Sequence, residues 1–324
     1  MNATRNPRLS NATGRPTAQQ SRAGVSCAKR TAPMVFCAFL GLVAAGLSRA
    51  ETPKIVASIK PVHSLVAGVT DGITGAPYLL VRGYASPHAL ALRPSDASAL
   101  ASAKIVFWIG PAMERFLERP LAALATRARI VALIEASRVR RLRSAGAYDP
   151  HIWLDPGNAK AMVRAIAAAL SVADPNNSGR YRANADRLGG RLNRLDAEIA
   201  QTLEPVRSAP YVVLHDAYRY FGQRYRLNQV AAASVGSQDR PGARHLIQVR
   251  KRLRQTGARC LFHEPGKSLG LANTIVRGTS ARIAVLDPIG VDIKPGRDAY
   301  FTIMRRMARS FKNCLVSPPA RPKP

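Results

Sequence analysis

Three histidines in this chain sit in stretches that would hold them still. Tyr148-Asp149-Pro150-His151-Ile152-Trp153-Leu154-Asp155-Pro156 places one imidazole between two Asp-Pro pairs. Proline fixes its own φ and biases the residue before it away from helix, so both ends of the stretch are stiff and extended. A pre-placed imidazole loses little entropy when it binds a metal. Taken alone, His151 reads more simply as a hydrogen-bonded residue of a turn. Ser86-Pro87-His88 and Val213-Leu214-His215-Asp216 have the same character. Three such residues together point to one site.

Three imidazoles and one carboxylate describe a tetrahedral zinc site, with Zn–N at about 2.0–2.1 Å and Zn–O at about 2.0–2.2 Å. Imidazole-rich ligation suits Zn, Cu or Ni, whereas Mg, Ca and Mn prefer oxygen. Zinc fingers take their ligands in tight pairs; these histidines lie far apart in sequence. A site assembled from distant segments can open and close, as a carrier requires. No His-Glu-x-x-His pattern is present, which argues against the commonest zinc hydrolases.

The elements that must position these residues alternate. Short apolar runs at 54–59, 77–81, 104–109 and 129–134 read as strands. Helical spacing is expected over 61–69, 96–102 (with Ser95 as N-cap) and 113–126. Asn158 opens an Ala-rich helix that runs to residue 172. From 178 to about 206, Leu188, Leu192, Leu195, Ile199 and Leu203 recur every three or four residues. That stripe predicts one long helix across Gly189-Gly190. The second half restarts the pattern, with strands at 211–214, 259–262 and 282–286. Helices are expected at 216–225, 243–256, 268–277 and 298–311.

Alternating strands and helices imply an α/β fold with mainly parallel sheets. The chain divides into an N-terminal extension and leader (1–50), an N-terminal lobe (51–173), a connecting helix (174–208), a C-terminal lobe (209–316) and a Pro-rich tail (317–324). His88, His215, Glu264 and Asp287 all follow strands, where open α/β sheets bind ligands. Two sheets facing each other would place the site in a cleft between lobes, with His151 entering from the loop that closes the first lobe.

The chain has 324 residues and a formal net charge of +30. Seven of its 49 basic residues and none of its 19 acidic ones fall in the first 50 positions, which leaves 42 against 19 in the rest. No aromatic-basic RNA module or zinc-finger spacing accompanies this charge, so no nucleic-acid partner is expected. A solvated Arg-rich surface is the plain reading, and attraction to an anionic membrane is the alternative. Lys29-Arg30, the apolar run 33–47 and Ser48-Arg49-Ala50 form a secretory signal peptide, which implies export to the periplasm. The run is too short for a confident membrane span. Beyond it only Cys260 and Cys314 remain, and two cysteines in an exported chain suggest one disulfide.

Ser86-Pro-His88-x-x-x-Leu92-Arg-Pro-Ser95, Asp149-Pro-His151-Ile-Trp153-Leu-Asp155-Pro and His215-Asp-Ala-Tyr-x-Tyr-Phe221 resemble the three ligand motifs of the zinc-specific metal-binding proteins of bacterial ABC uptake systems. The resemblance continues through Glu264-Pro265, Arg277-Gly-Thr-Ser280 and Leu286-Asp-Pro-Ile-Gly290, and covers residues 54–315. It implies a monomeric periplasmic carrier of two lobes bridged by a rigid helix, which delivers Zn²⁺ to a membrane permease. Its metal ligands would be His88, His151 and His215. A histidine at position 215, where related manganese and iron carriers use a carboxylate, favours zinc. Asp287 is expected as the fourth ligand, ahead of a water or Glu264, and a Cys260–Cys314 cystine is also implied.

The chain departs from that pattern in three places. The stretch 135–148 is short, Arg-rich and without histidine where many zinc carriers have a His- and acid-rich loop. Pro87 replaces a glutamate found before the first histidine in some members, and Leu90 replaces a common aromatic. Of the other histidines, His63 is expected in a structural role, His245 on an exposed basic helix, and His263 as a strand residue or a donor to Glu264. Two other functions compete: a secreted zinc hydrolase with Glu264 as general base, and an adhesin that keeps the carrier fold.

Overall fold

Residues 54–316, except 89, 145, 235–241 and 267–268, are described in the computed structural model. The expected leader and the Pro-rich tail lie outside the described residues, as does Ser268, the expected start of a helix.

In the first half β1 (Ile55–Ala57), α1 (Lys60–Val69), β2 (Tyr78–Leu79), α2 (Pro94–Ala101), β3 (Ile105–Trp108), α3 (Glu118–Leu124) and β4 (Arg129–Ala132) follow one another. A two-strand hairpin, β5 (Arg143–Ser144) and β6 (Ala147–Tyr148), precedes α4 (Pro156–Ala173) and the 26-residue α5 (Ser178–Leu203). The second half comprises β7 (Tyr211–His215), α6 (Arg219–Tyr225), β8 (Gln229–Ser234), α7 (Ala243–Thr256), β9 (Cys260–His263), α8 (Leu269–Val276), β10 (Arg282–Val285) and α9 (Ala299–Val316).

The two halves form two parallel sheets of the same topology. Their orders are β2-β1-β3-β4 and β10-β9-β7-β8, so in each the first strand lies inside, flanked by the second and third. Every residue of β1, β3, β7 and β9 is buried. That is why these runs are apolar rather than alternating, up to the histidines that end β7 and β9.

The leucine stripe packs as its spacing predicts. Leu188, Leu192, Leu195, Ile199 and Leu203 are all buried, and α5 lies against α4, α1 and α9. Each such side chain contributes about 1.5–3 kcal/mol on burial. The roughly 1 kcal/mol cost of each of Gly189 and Gly190 is small beside that, and the helix runs through them. The last helix, α9, packs on the second sheet and also on α1 and α5. There the Tyr300 backbone N–H donates to Ser64 Oγ at 2.9 Å. One apolar core, from Ile55 to Leu315, therefore serves both sheets.

Two expectations need correction, and two elements were not expected. Ser95 does not cap α2: the Asp96 carboxylate accepts from Arg93 N–H at 2.9 Å, so the helix starts at Pro94, whose missing N–H costs nothing there. The helix expected over 113–126 is a 3₁₀ turn at Arg115–Leu117 and then α3, because Pro120 is tolerated only in a first turn. The edge strand β8 was not anticipated; its Ala-rich sequence lacks the branched bulk that marks strands. The short Arg-rich stretch 135–148 holds the β5–β6 hairpin, with Arg143 paired to Tyr148.

Candidate metal centre

His88, His151 and His215 reach one point from three different segments. His88 is in the loop after β2, His151 in the turn between β6 and α4, and His215 is the last residue of β7. A potential ligand atom of each lies within 4.8 Å of those of the other two. Their ring centroids are 5.1–5.9 Å apart. His151 and His215 are buried, at 4% and 6% exposure, and His88 is partly buried. Tyr84, Pro87, Met113, Trp153 and Pro265 line the same cavity, as do Glu264 and Asp287.

Two of the imidazoles are oriented from behind by carboxylates. Asp149 Oδ1 is 2.8 Å from His151 Nδ1 and also accepts from the His151 backbone N–H at 3.0 Å. Glu264 Oε1 is 2.7 Å from His215 Nδ1. An ionised carboxylate only accepts, so each Nδ1 carries the proton and each Nε2 presents its lone pair to the cavity. His215 Nε2 is buried and has no hydrogen-bond partner among the described residues. An unsatisfied buried polar atom costs about 1–3 kcal/mol, and coordination of a cation would remove that penalty. This is the arrangement of a metal ligand backed by an acceptor.

Asp287, expected as the fourth ligand, lines the cavity but is not in the close set of donor atoms. Its Oδ1 accepts from Ile289 N–H (3.2 Å) and Gly290 N–H (2.7 Å), and its Oδ2 from Val291 N–H (2.7 Å). Burial raises its pKa, and the three backbone donors oppose that rise. Lys60 is buried beneath the same loop and donates to the Gly290 and Val291 carbonyls. Burial lowers the Lys60 pKa, with the Asp287 charge acting the other way.

The remaining polar candidates have other work. His63 Nε2 is 3.0 Å from the Pro77 carbonyl, so His63 joins α1 to the approach of β2; burial lowers its pKa. His263 Nδ1 faces the Glu264 carbonyl oxygen at 3.0 Å. His245 is exposed, with Nε2 3.0 Å from the Ala232 carbonyl. Asp155 and Asp216 lie close in sequence to His151 and His215, and neither orients them. Asp155 caps α4 by accepting from Gly157 N–H at 2.7 Å, and Asp216 accepts from Gln229 Nε2 at 2.7 Å. Sequence reasoning missed Asp149 in that role.

Contacts between the two halves frame the cavity. Trp153 Nε1 donates to the Pro288 carbonyl (2.9 Å), and Tyr300 Oη donates to the Trp153 carbonyl (2.7 Å). Tyr220 Oη accepts from Leu142 N–H and donates to the Asp149 carbonyl, both at 2.9 Å, so the hairpin is tied to α6. In the second half Cys260, which opens β9, is joined by a disulfide to Cys314 on α9, with Cα atoms 6.2 Å apart.

Known proteins share this architecture. The model of the family described as periplasmic zinc-uptake complex component A matches residues 55–314. The high-affinity zinc uptake system protein ZnuA of Brucella abortus (strain 2308) is 36% identical over 309 residues, covering 82% of this chain and 92% of that protein. ZnuA of Paracoccus denitrificans (strain Pd 1222) is 32% identical, covering 88% and 98%. A crystal structure of a ZnuA deletion mutant with zinc bound superposes with a TM-score of 0.73 at 26% identity, covering 83% of this chain and all of that one. The chain belongs to the family of periplasmic zinc-uptake complex component A proteins.

Proposed function

We propose that the protein captures Zn²⁺ in the periplasm and hands it to the membrane permease of an ABC importer, acting as a carrier and not as an enzyme. The observation that carries this reading is the convergence of His88, His151 and His215, two of them backed by carboxylates. Nε2 of His151 and His215, with one ring nitrogen of His88, would hold the ion. Three neutral imidazoles leave Zn²⁺ its double charge, which is costly to bury. Asp149 and Glu264 compensate through the histidines they bond, and Asp287 compensates from the cavity wall. Asp287 holds three backbone N–H groups and stands outside the close set of donor atoms, so we assign the fourth position to solvent.

The hydrolase reading places Glu264 as general base, but its Oε1 is engaged by His215. Residues 1–50 would be the leader removed on export. The lobes would span 51–173 and 209–316, joined by the helix within 174–208, in a monomeric chain with no nucleic-acid partner.

Metal analysis of the protein purified without added metal tests the function. One zinc per chain, retained against excess Mn²⁺, supports it together with loss of growth in zinc-limited medium on deletion. A metal-free protein that Mn²⁺ loads as readily as Zn²⁺ overturns it.

A further inference from the structure

We propose that the outward face of α7 is a docking surface for an anionic lipid bilayer. This helix carries Arg244, Arg250, Lys251, Arg252 and Arg254 and no acidic residue. Arg244, Lys251, Arg252 and Arg254 are exposed. Elsewhere several arginines pair with carboxylates: Arg191 with Asp298, Arg224 with Asp196, Arg305 with Glu198 and Arg306 with Asp292. Among the described residues no ion pair includes a residue of α7. The imbalance extends along the sequence, since residues 235–282 hold ten basic and two acidic side chains.

A second observation lies on the same face. Ile247 is 68% exposed, although a branched apolar side chain gains by burial. Positions 244, 247, 251 and 254 share one side of a helix, so Ile247 stands among Arg244, Lys251 and Arg254. The opposite side is anchored: Val249 and Leu253 are buried against the second sheet with Val212 and Leu261. An apolar side chain ringed by basic ones, on a helix fixed at its back, is the pattern of an interfacial helix. Its cations meet headgroup phosphates while the apolar side chain enters the boundary with the acyl chains. No described helix is long and apolar enough to cross a membrane, so the attachment would be peripheral.

A bilayer fits this face better than an acidic protein does. The face offers dispersed positive charge and one apolar point, with no acidic residue to fix a register against a folded partner. A carrier whose permease is in the membrane would gain by searching along that surface. The proposal is independent of the metal site: zinc affinity in solution should not change in any variant below.

The test is co-sedimentation of the mature chain with phosphatidylcholine vesicles, with and without phosphatidylglycerol, at moderate salt. Wild type should bind only the anionic vesicles. Arg244→Glu/Lys251→Glu should weaken binding by roughly tenfold or more, since each basic residue near the surface is worth about fivefold. Ile247→Ser should weaken it severalfold at unchanged charge. Arg119→Glu/Arg127→Glu makes the same charge change on exposed residues of the first half and should bind as wild type does. Thermal melts confirm that each variant folds. Absence of wild-type binding, or equal loss in both charge-reversed pairs, overturns the proposal. Association that appears only when the permease is placed in zwitterionic vesicles replaces the lipid with a protein partner and overturns it too.

Discussion

Glu264 Oε1 and His215 Nδ1 lie 2.7 Å apart, joining the end of β9 to the end of β7. The sheet dictates this meeting. Tyr211, Val212 and Val213 pair with Cys260, Leu261 and Phe262 in parallel register, and two further steps along both strands bring His215 beside Glu264. The bond fixes the tautomer and the ring orientation of His215. Glu264→Gln keeps an acceptor but loses the charge, and Glu264→Ala loses both. Zinc affinity, measured by competition with a chelator, should fall about 10- to 100-fold for Ala and less for Gln. Equal affinity in wild type and Glu264→Ala would remove the orienting role.

Asp149 and Asp155 look equivalent in sequence, each preceding a proline, yet they do different work. Asp149→Ala should weaken zinc binding, because it frees the His151 ring and its backbone N–H. Asp155→Ala should leave zinc affinity within a few-fold but lower stability by about 1 kcal/mol through the lost cap of α4. Calorimetric melts and zinc titrations of both variants should therefore rank them in opposite orders.

Glu114 gives the fold a pH dependence of its own. It is fully buried at the end of β3, where it accepts from Ser58 Oγ (2.5 Å), Ile109 N–H (3.2 Å) and Gly110 N–H (3.0 Å). Burial outweighs these donors and raises its pKa from 4.5 to about 7. The folded state thus holds the proton more tightly than the unfolded one. Stability is greatest below pH 4.5 as far as this group is concerned, and it declines as pH rises toward 7. The decline amounts to at most about 3 kcal/mol. Denaturant unfolding of wild type between pH 5 and 7.5 should show this fall, and Glu114→Gln should flatten it whatever its baseline. A variant with the wild-type slope would assign the pH dependence elsewhere.

The disulfide closes a sequence separation of 54 residues between β9 and α9. Restricting the unfolded chain in this way contributes up to ~4 kcal/mol. Cys260→Ser/Cys314→Ser should melt lower than wild type by several degrees, with zinc affinity preserved because neither sulfur reaches the cavity. Two free thiols on alkylation of the denatured, unreduced protein would contradict the bond.

What sequence revealed and what it hid divides along physical lines. The apolar runs of β1, β3 and β7 were legible because strands buried on both faces read as near-continuous apolar runs. The stop of α7 was legible because Gly257 takes a left-handed conformation, φ 63°. The three histidines stood out through the stiff, strand-end settings around them. Their orienting carboxylates did not. Asp216 is the acid next to His215 in sequence, whereas strand register brings up Glu264, 49 residues on. The placement of Asp287 was hidden for a similar reason. A sequence shows a carboxylate at a strand end, but not that the backbone N–H groups of Ile289, Gly290 and Val291 bond to it.

The central claim is that three imidazoles from three segments hold one zinc ion. Anomalous diffraction at the zinc edge from crystals of the zinc-loaded protein tests it most directly. The account predicts a single strong peak about 2.0–2.1 Å from Nε2 of His151 and of His215 and from one ring nitrogen of His88. Asp287 should lie beyond coordination distance. A peak bonded to fewer than these three histidines, or held by Glu264 in place of His215, would contradict it.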